Sequence, residues 1–429
     1  MIIGIRREDK NRWERRVPLV PADLAELVRE GLDFRVQPSA NRIFPDQDYV
    51  EAGAEVAEDL GPCPLILAVK EIPTALLEPG KAYVYFSHVI KGQAYNMPML
   101  QRLLDLECSL VDYEKICDAE TGRRLIFFSV HAGYAGMIDT LWTLGQRLAA
   151  RGITTPLAEV EQTYRYTSFE DAKAHLRLLG ARLRDEMPAE LRPLVIGVAG
   201  YGNVARGCRE VLDCLPCEWI DPADLPRLAA RDGDAPVIRC VEFREEHMVE
   251  PAAGQAFDLA EYYAQPERYR GTFARHLDHL DVLMNTIYWE PRYPRLVTRE
   301  WALENREPRL AAIGDISCDI EGSIEITLEA TMPDTPSYTY DRDRDAITYG
   351  VEGTGPAIMA VDNLPCEVSK ESSDHFSHVL RAMVPALAAC DWSQPFAALD
   401  LPPELKNAVI VHRGRLTPDY AYLQQYLNA

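Results

Sequence analysis

The sequence lacks the features of secreted, membrane-spanning and nucleic-acid-binding proteins. Charged residues follow directly after the short apolar run at residues 1–5, so no secretory signal is indicated. No apolar run approaches the roughly 20 residues that a membrane-spanning helix needs. Lysine and arginine number 45 against 67 aspartates and glutamates, which gives a formal charge of −22 without a basic patch. We therefore expect a cytoplasmic protein with no membrane and no nucleic-acid partner.

Clustered metal ligands are also lacking. The ten cysteines are scattered, and the one Cys-x-x-Cys pair, Cys214 and Cys217, has no second pair and no adjacent histidines. The two His-x-x-His pairs lack further ligands at close spacing. The sequence therefore predicts free thiols and no metal site.

What is present is an ordinary globular composition with one distinctive stretch. Hydrophobic residues make up 47% of the 429 residues, enough for two or three domains with sizeable cores. The stretch PLVIGVAGYGNVARG, Pro193–Gly207, reads as a buried strand, a tight turn and the start of a helix. Its order of strand, Gly-x-Gly-x-x-Ala and helix is typical of a dinucleotide-binding turn.

Each position of this motif has a physical role in binding a dinucleotide. Gly200 permits the tight turn, and Gly202 lets the backbone approach a pyrophosphate. The helix that begins near Asn203 and Val204 offers free N–H groups to the phosphates. Asp221 ends the next apolar run, about 20 residues on, where an acid binds an adenosine ribose in such sites. The alternative is an ordinary strand–helix turn whose glycines serve packing alone.

Short apolar runs alternate with helical patterns along most of the chain. This rhythm predicts an α/β protein with two Rossmann-like domains and parallel sheets, the nucleotide-binding domain being inserted in the other. We expect one domain to comprise residues 1–135 and 361–429, and the dinucleotide-binding domain to comprise residues 136–360. Lys70, His88 and Asp315 fall at or near predicted strand ends, where ligands bind in such folds.

Several blocks of the sequence together resemble one enzyme family. They are WERRVPLVP (13–21), LILAVKEIP (65–73), YFSHVIKGQ (85–93), VDYEKICD (111–118), HAGYAGM (131–137), GYGNVARG (200–207), IYWEPRYPRLVT (287–298), GDISCDIEGSIE (314–325) and VEGTGPAIMAVDNLP (351–365). The chain resembles lysine–2-oxoglutarate reductase, the saccharopine-forming half of bifunctional aminoadipic semialdehyde synthase. More distantly it is similar to fungal lysine-forming saccharopine dehydrogenase and to alanine dehydrogenase. The bifunctional enzymes continue into a second dehydrogenase, whereas this sequence ends at Ala429. We therefore expect a stand-alone reductase.

The resemblance implies an oxidoreductase that condenses L-lysine with 2-oxoglutarate to saccharopine, reversibly, using a nicotinamide cofactor. It assigns the acid–base pair to Lys70 and His88 and a substrate carboxylate to Arg16. It gives further substrate contacts to Lys91, Glu114 and Arg124, and it places Asp315 near both nicotinamide and substrate, with Asn285 also on the cofactor side. These residue types suit the chemistry, because arginine grips carboxylates and lysine or histidine can move protons near neutral pH.

The cofactor and the substrates are open on the sequence alone. An acid at Asp221 favours NAD(H), because it repels a 2′-phosphate, whereas the resemblance favours NADP(H); we retain both with a slight preference for NADPH. Two alternatives remain: an imine-reducing opine or amino-acid dehydrogenase for another amine and oxo acid, and a non-catalytic nucleotide-binding protein. The sequence does not decide the oligomeric state, a homo-oligomer included.

Overall fold

The computed structural model describes residues 1–228, 237–305 and 309–427. The strands within these ranges are β1 (Ile2–Ile5), β2 (Asp33–Val36), β3 (Glu55–Val56), β4 (Leu65–Leu67), β5 (Ala82–Tyr85), β6 (Ser109–Asp112), β7 (Leu194–Ala199), β8 (Cys217–Ile220), β9 (Ile238–Phe243), β10 (Val249–Pro251), β11 (Tyr269–Gly271), β12 (Val282–Asn285), β13 (Ala312–Asp315), β14 (Ser337–Asp341), β15 (Ala346–Tyr349), β16 (Ala357–Met359), β17 (Val409–His412) and β18 (Arg415–Leu416).

The α-helices of the same ranges are α1 (Pro21–Arg29), α2 (Asp46–Glu51), α3 (Met97–Asp105), α4 (Ser129–Ala150), α5 (Phe169–Glu186), α6 (Asn203–Leu212), α7 (Glu245–Met248), α8 (Leu259–Ala264), α9 (Ala274–Leu277), α10 (Arg299–Glu304), α11 (Ser369–Arg381), α12 (Val384–Ala389), α13 (Pro403–Lys406) and α14 (Gln424–Leu427). None of them, in the part of the chain that is described, is both long and apolar enough to cross a membrane.

The chain divides into two compact units, Met1–Phe128 with Ser369–Ala429 and Ser129–Val368. We call them unit 1 and unit 2. The expected divisions at 135/136 and 360/361 differ from these by seven or eight residues, and the first of them would cut through α4.

Unit 1 is built on an eight-stranded sheet with the order β18-β17-β6-β5-β4-β1-β2-β3. The six strands from β1 to β6 run parallel, as the alternation of strands and helices predicts. Strand β17 pairs antiparallel with β6, so the end of the chain completes this sheet, and β18 pairs antiparallel with β17. The predicted parallel sheet is therefore mixed at this edge, where a segment distant in sequence pairs with it in the reverse direction.

Unit 2 is built on a second eight-stranded sheet with the order β15-β14-β16-β13-β12-β7-β9-β8. Its core is parallel, and β14 and β15 again form an antiparallel edge. The predicted motif strand, β7, is buried along its whole length between β12 and β9. The run that ends before Asp221 forms β8, which is the edge strand and does not adjoin β7.

Helices α4 and α6 cross on this unit at two glycines. A Cβ atom on Gly133 would lie 2.1 Å from the carbonyl oxygen of Val204, and one on Gly207 would lie 2.2 Å from that of Val130. No side chain fits at such distances, so the two helix backbones approach closely only because both residues are glycine. This crossing fixes the helix that carries the glycine motif against the long helix α4.

Candidate active site

A pocket of about 180 Å³ in unit 1 brings four of the predicted site residues together. Lys70 and His88 enter it from the loops after β4 and β5, which are neighbouring strands of the sheet. Glu114 and Arg124 come from the segment that follows β6. The remaining lining is aromatic: Phe86, Phe127 and Phe128. The pocket therefore lies where the carboxyl ends of parallel strands meet, as ligand sites do in open α/β sheets.

Lys70 lies in a surrounding that favours its neutral form. Burial lowers the pKa of Lys70, and the positive charge of Arg16 lowers it further. The carboxylate of Glu8 accepts hydrogen bonds from the backbone N–H groups of Val69 and Lys70, at 2.7 and 3.0 Å. Glu8 thus fixes the loop that presents Lys70, while the lysine side chain faces the pocket.

His88 is held by a carboxylate that the sequence did not single out. Its Nδ1 atom lies 2.5 Å from Oε1 of Glu71, whose other oxygen lies 3.2 Å from Nζ of Lys10. Burial acts to raise the pKa of Glu71, but the hydrogen bond and charge of His88, together with Lys10, outweigh burial and lower it. Glu71 is therefore an ionised partner that orients the imidazole.

The backbone at His88 adopts an unusual conformation that surrounding hydrogen bonds maintain. His88 has a φ of 49°, in the left-handed region that non-glycine residues seldom enter. The side-chain amide of Asn96 donates to the carbonyl oxygens of Ser87 and His88, at 3.0 and 3.3 Å. Backbone conformations of this kind are concentrated at functional sites, where the surrounding structure holds them.

Asp112, at the end of β6, ties two loops of the pocket together. Its carboxylate accepts the backbone N–H of Ser87 at 3.1 Å and that of Glu114 at 2.7 Å. Burial raises the pKa of Asp112 to about 6. Beside it, Nη2 of Arg124 lies 2.5 Å from Oε1 of Glu114, in a half-exposed ion pair. Arg124 and Glu114 thus bring a cation and an acid, paired with each other, to the lining of the pocket.

Two residues predicted to contact the substrate, Arg16 and Lys91, do not line this pocket. Arg16 is almost fully buried, and its guanidinium makes a two-pronged contact with Glu14, with Nε to Oε1 at 2.7 Å and Nη2 to Oε2 at 2.5 Å. The same guanidinium lies 4.4 Å from the ring centroid of Phe128, so it supports the pocket wall from behind. Lys91 is exposed and does not line the pocket.

The glycine motif of unit 2 has the geometry that a dinucleotide requires. Gly200 has a φ of +110°, and a Cβ atom there would lie 2.6 Å from Oγ1 of Thr286. At Gly202 a Cβ would meet nothing within 4 Å, so its face is open. Helix α6 begins at Asn203, and Val204 lies in its first turn, where N–H groups have no partner within the helix. These residues fit a bound pyrophosphate.

Asn285 and Asp315 end the neighbouring strands β12 and β13, in register with each other. The amide of Asn285 donates to Oδ1 of Asp315 at 2.8 Å, and Asp315 also accepts from Ser317 and Thr327. Both residues are buried, and burial raises the pKa of Asp315. Because β12 also adjoins β7 in parallel, these two residues lie at the carboxyl ends of the strands, as the glycine turn does.

A second pocket of about 300 Å³ lies beside this turn. Its walls are mainly apolar and aromatic, which suits the flat adenine ring; they include Gly200, Tyr201, Gly202, Met248, Tyr262, Tyr263, Thr286, Trp289 and Tyr293. Asp221 does not line the pocket.

Sequence reasoning missed the carboxylates that support the site. Glu71 is adjacent to Lys70, and Glu14 lies within the block that contains Arg16, so both were visible in the quoted motifs. Nothing in the local pattern distinguished them from exposed acids, because the fold alone brings His88 to Glu71 and buries Glu14 together with its neighbour Arg16. Glu8 lies about 60 residues from the amides it binds.

The chain as a whole is similar to several known enzymes. The chain is 36% identical over 443 aligned residues to alpha-aminoadipic semialdehyde synthase of Arabidopsis thaliana, and the alignment covers 98% of the chain and 41% of that protein. The mitochondrial alpha-aminoadipic semialdehyde synthase of Mus musculus is also 36% identical, over 99% of the chain and 48% of that protein. The chain is similar to one part of these synthases over nearly its whole length. It spans less than half of their length, and the resemblance predicted from the sequence blocks is confirmed.

Other matches include proteins that align with most of the chain along most of their own length. Saccharopine dehydrogenase [NAD(+), L-lysine-forming] of Neurospora crassa is 26% identical over 91% of the chain and 92% of that protein. Residues 4–135 match the family described as "Alanine dehydrogenase/PNT, N-terminal domain". A solved L-alanine dehydrogenase superposes with a TM-score of 0.64 over the whole of both chains at 19% identity, and a Sinorhizobium meliloti transhydrogenase with 0.56 at 17%. The predicted α/β fold of the alanine dehydrogenase type is thereby confirmed.

Proposed function

We propose that this chain is a nicotinamide-dependent oxidoreductase that condenses L-lysine with 2-oxoglutarate to saccharopine, reversibly. The observation that carries the proposal is that Lys70 and His88 line one pocket of a chain homologous to named synthases and lysine-forming dehydrogenases. Glu114 and Arg124 line the same pocket, so it offers cations and an acid to a product with several carboxylates and amines.

Lys70 is the group that we assign to the substrate amine. An ordinary lysine amine has a pKa of about 10.4, so the substrate must lose a proton before it attacks a ketone. Because burial and Arg16 lower the pKa of Lys70, its neutral form is accessible closer to neutral pH. Neutral Nζ can then accept the proton of the substrate amine as the carbinolamine forms.

His88 is the group that we assign to the later proton transfers. The carbinolamine hydroxyl leaves as water only when it gains a proton, and an imidazolium stabilised by the Glu71 carboxylate can donate it. A reduced nicotinamide, when bound, supplies the hydride that converts the imine to the secondary amine. Arg124 is assigned to a substrate carboxylate. Arg16 supports Phe128 from behind, and the substrate contact of Lys91, which lies outside the pocket lining, stays a prediction of the sequence.

In unit 2, Gly200, Gly202, Asn203 and Val204 would hold the pyrophosphate, and Asn285 and Asp315 would lie towards the nicotinamide. The cytoplasmic location and the homo-oligomer stay predictions of the sequence. The cofactor is NAD(H) or NADP(H).

The test is consumption of reduced nicotinamide in the presence of lysine and 2-oxoglutarate, compared with each substrate alone. We expect turnover only with both, and a product with the mass of saccharopine. Turnover with other amine and oxo-acid pairs, but not with this one, would instead identify a related opine or amino-acid dehydrogenase. Nucleotide binding without turnover across a broad substrate panel would identify a non-catalytic binding protein.

A further inference from the structure

The order of strands in unit 2 changes which residue lies beside the glycine turn. In dinucleotide-binding sheets, the residue at the end of the strand next to the motif strand faces the adenosine ribose. Here that strand is β9, not β8. The backbone N–H of Gly200 donates to the carbonyl oxygen of Phe243, the last residue of β9, at 2.9 Å. The next residue along the chain, Arg244, therefore lies directly beside the turn.

The side chain of Arg244 remains next to the motif. Its Cζ atom lies 4.9 Å from the ring centroid of Tyr201, the residue between the two motif glycines, and about half of the side chain is exposed. Its Nε atom donates to Oε1 of Glu242 at 3.1 Å. Oε2 of Glu242 also lies 3.6 Å from Nη1 of Arg209. Two guanidinium groups thus share the carboxylate of Glu242 at this end of β9, and the next acid, Glu245, accepts a hydrogen bond from Tyr263 instead.

Asp221 is occupied elsewhere. It follows the edge strand β8, which is separated from β7 by β9. Its Oδ1 atom accepts the backbone N–H of Ala223 at 2.8 Å, so it closes the turn that follows the strand. An acid in that role explains Asp221 without a ribose.

We infer that Arg244 selects the cofactor by binding the 2′-phosphate of a 2′-phosphorylated nicotinamide dinucleotide, and that Asp221 does not contact the ribose. The inference rests on the proposed dinucleotide site at Gly200 and Gly202. A guanidinium can donate two parallel hydrogen bonds to a phosphate, and Arg244 can turn from Glu242 because Arg209 still neutralises that acid.

Direct binding tests this without turnover. Calorimetric titration of the full chain with NADPH and NADH, and with adenosine 2′,5′-bisphosphate and ADP, compares ligands that do and do not carry a 2′-phosphate. We expect wild type to bind the 2′-phosphorylated ligands more tightly. Arg244→Gln should weaken their binding by about 10- to 100-fold, as loss of a charged hydrogen bond does, and leave NADH within about twofold. Arg244→Lys should lose less affinity for the 2′-phosphorylated ligands than Arg244→Gln does.

Two control variants separate the alternatives. Arg227→Gln removes an exposed arginine that pairs with Asp224 and should change neither affinity, and Asp221→Asn should also change neither. The inference is overturned if wild type prefers NADH, if Arg244→Gln weakens all four ligands equally, or if Asp221→Asn raises the affinity for NADPH alone. If wild type binds none of them, the proposed function fails and the inference fails with it.

Discussion

Oε1 of Glu71 lies 2.5 Å from Nδ1 of His88. The two residues follow β4 and β5, which are neighbouring strands of the unit 1 sheet. The contact fixes the orientation of the ring through one of its two nitrogens. It also places a negative charge against the imidazole that we assign to proton donation, which makes Glu71 a positioning residue with a measurable effect on turnover.

Replacing Glu71 by glutamine should lower turnover by about 10- to 100-fold, less than removal of the acid–base group itself. The neutral amide makes a weaker contact with Nδ1 than the carboxylate does, so the ring is held less firmly and kcat should fall while the KM for the cofactor changes little. Lys10→Met is the matched control, because it removes the exposed partner of the same carboxylate and should change turnover little. A kcat equal to that of wild type in Glu71→Gln would remove Glu71 from this role.

Replacing Lys70 by methionine or His88 by glutamine should lower turnover by about 10²- to 10⁴-fold while cofactor affinity stays nearly unchanged. Each single variant should lose one limb of the pH–rate profile. The exposed residues Lys370 and His378, also in unit 1, provide matched controls in Lys370→Met and His378→Gln. Turnover near that of wild type in both site variants would exclude the pair from the mechanism, and a parallel loss of folding would assign them a structural role.

Gly202 and Gly207 lie five residues apart in one motif but should respond differently to alanine. At Gly202 a Cβ has open space, so Gly202→Ala should keep the melting temperature and weaken dinucleotide binding by about tenfold or more, because the methyl group occupies the pyrophosphate approach. At Gly207 a Cβ would meet the carbonyl of Val130 at 2.2 Å, so Gly207→Ala should cost about 1–3 kcal/mol of unfolding free energy. Calorimetry and denaturant titration measure both. Equal effects of the two changes on stability would contradict the crossing geometry.

Asp139 and Glu367, a buried pair of acids in unit 2, should make stability fall as pH rises. Burial raises the pKa of Asp139 to about 6. The pKa of Glu367 is raised well above its usual range, first by burial and second by the negative charge of Asp139. The folded chain therefore holds protons that the unfolded chain releases above about pH 4.3, and that stabilisation is lost progressively up to the folded pKa values.

Glu367→Gln removes the ionisable partner, so its unfolding free energy should fall less than that of wild type between pH 5 and pH 8, on the order of 1 kcal/mol for each unit of pKa shift removed. Denaturant titration at several pH values measures this slope. Glu352→Gln, an exposed acid in the same unit, should retain the slope of wild type. A variant at Glu367 with an unchanged slope would show that this pair does not titrate as described.

Local patterns were sufficient to predict the parts of the site that lie within one turn or one strand end. Gly200 and Gly202 were predicted because a buried strand, a tight turn and a helix leave their signature in about fifteen consecutive residues. Lys70 and His88 were predicted in part because each follows a short apolar run, and the runs proved to be β4 and β5. Such signals are short-range, since they reflect the backbone's own periodicity and the burial of one face.

The sequence by itself determined the α/β class and the dinucleotide turn, because these depend on neighbouring residues in the chain, and the family resemblance named four of the seven residues that line the unit 1 pocket. Only the tertiary structure decided which strands adjoin. It placed β9 rather than β8 beside β7, it brought β17 from nearly 300 residues away to β6, and it locked Arg16 onto Glu14 in a buried pair. The physical reason is that an apolar strand has two edges and many possible partners, and the choice among them depends on packing over the whole sheet.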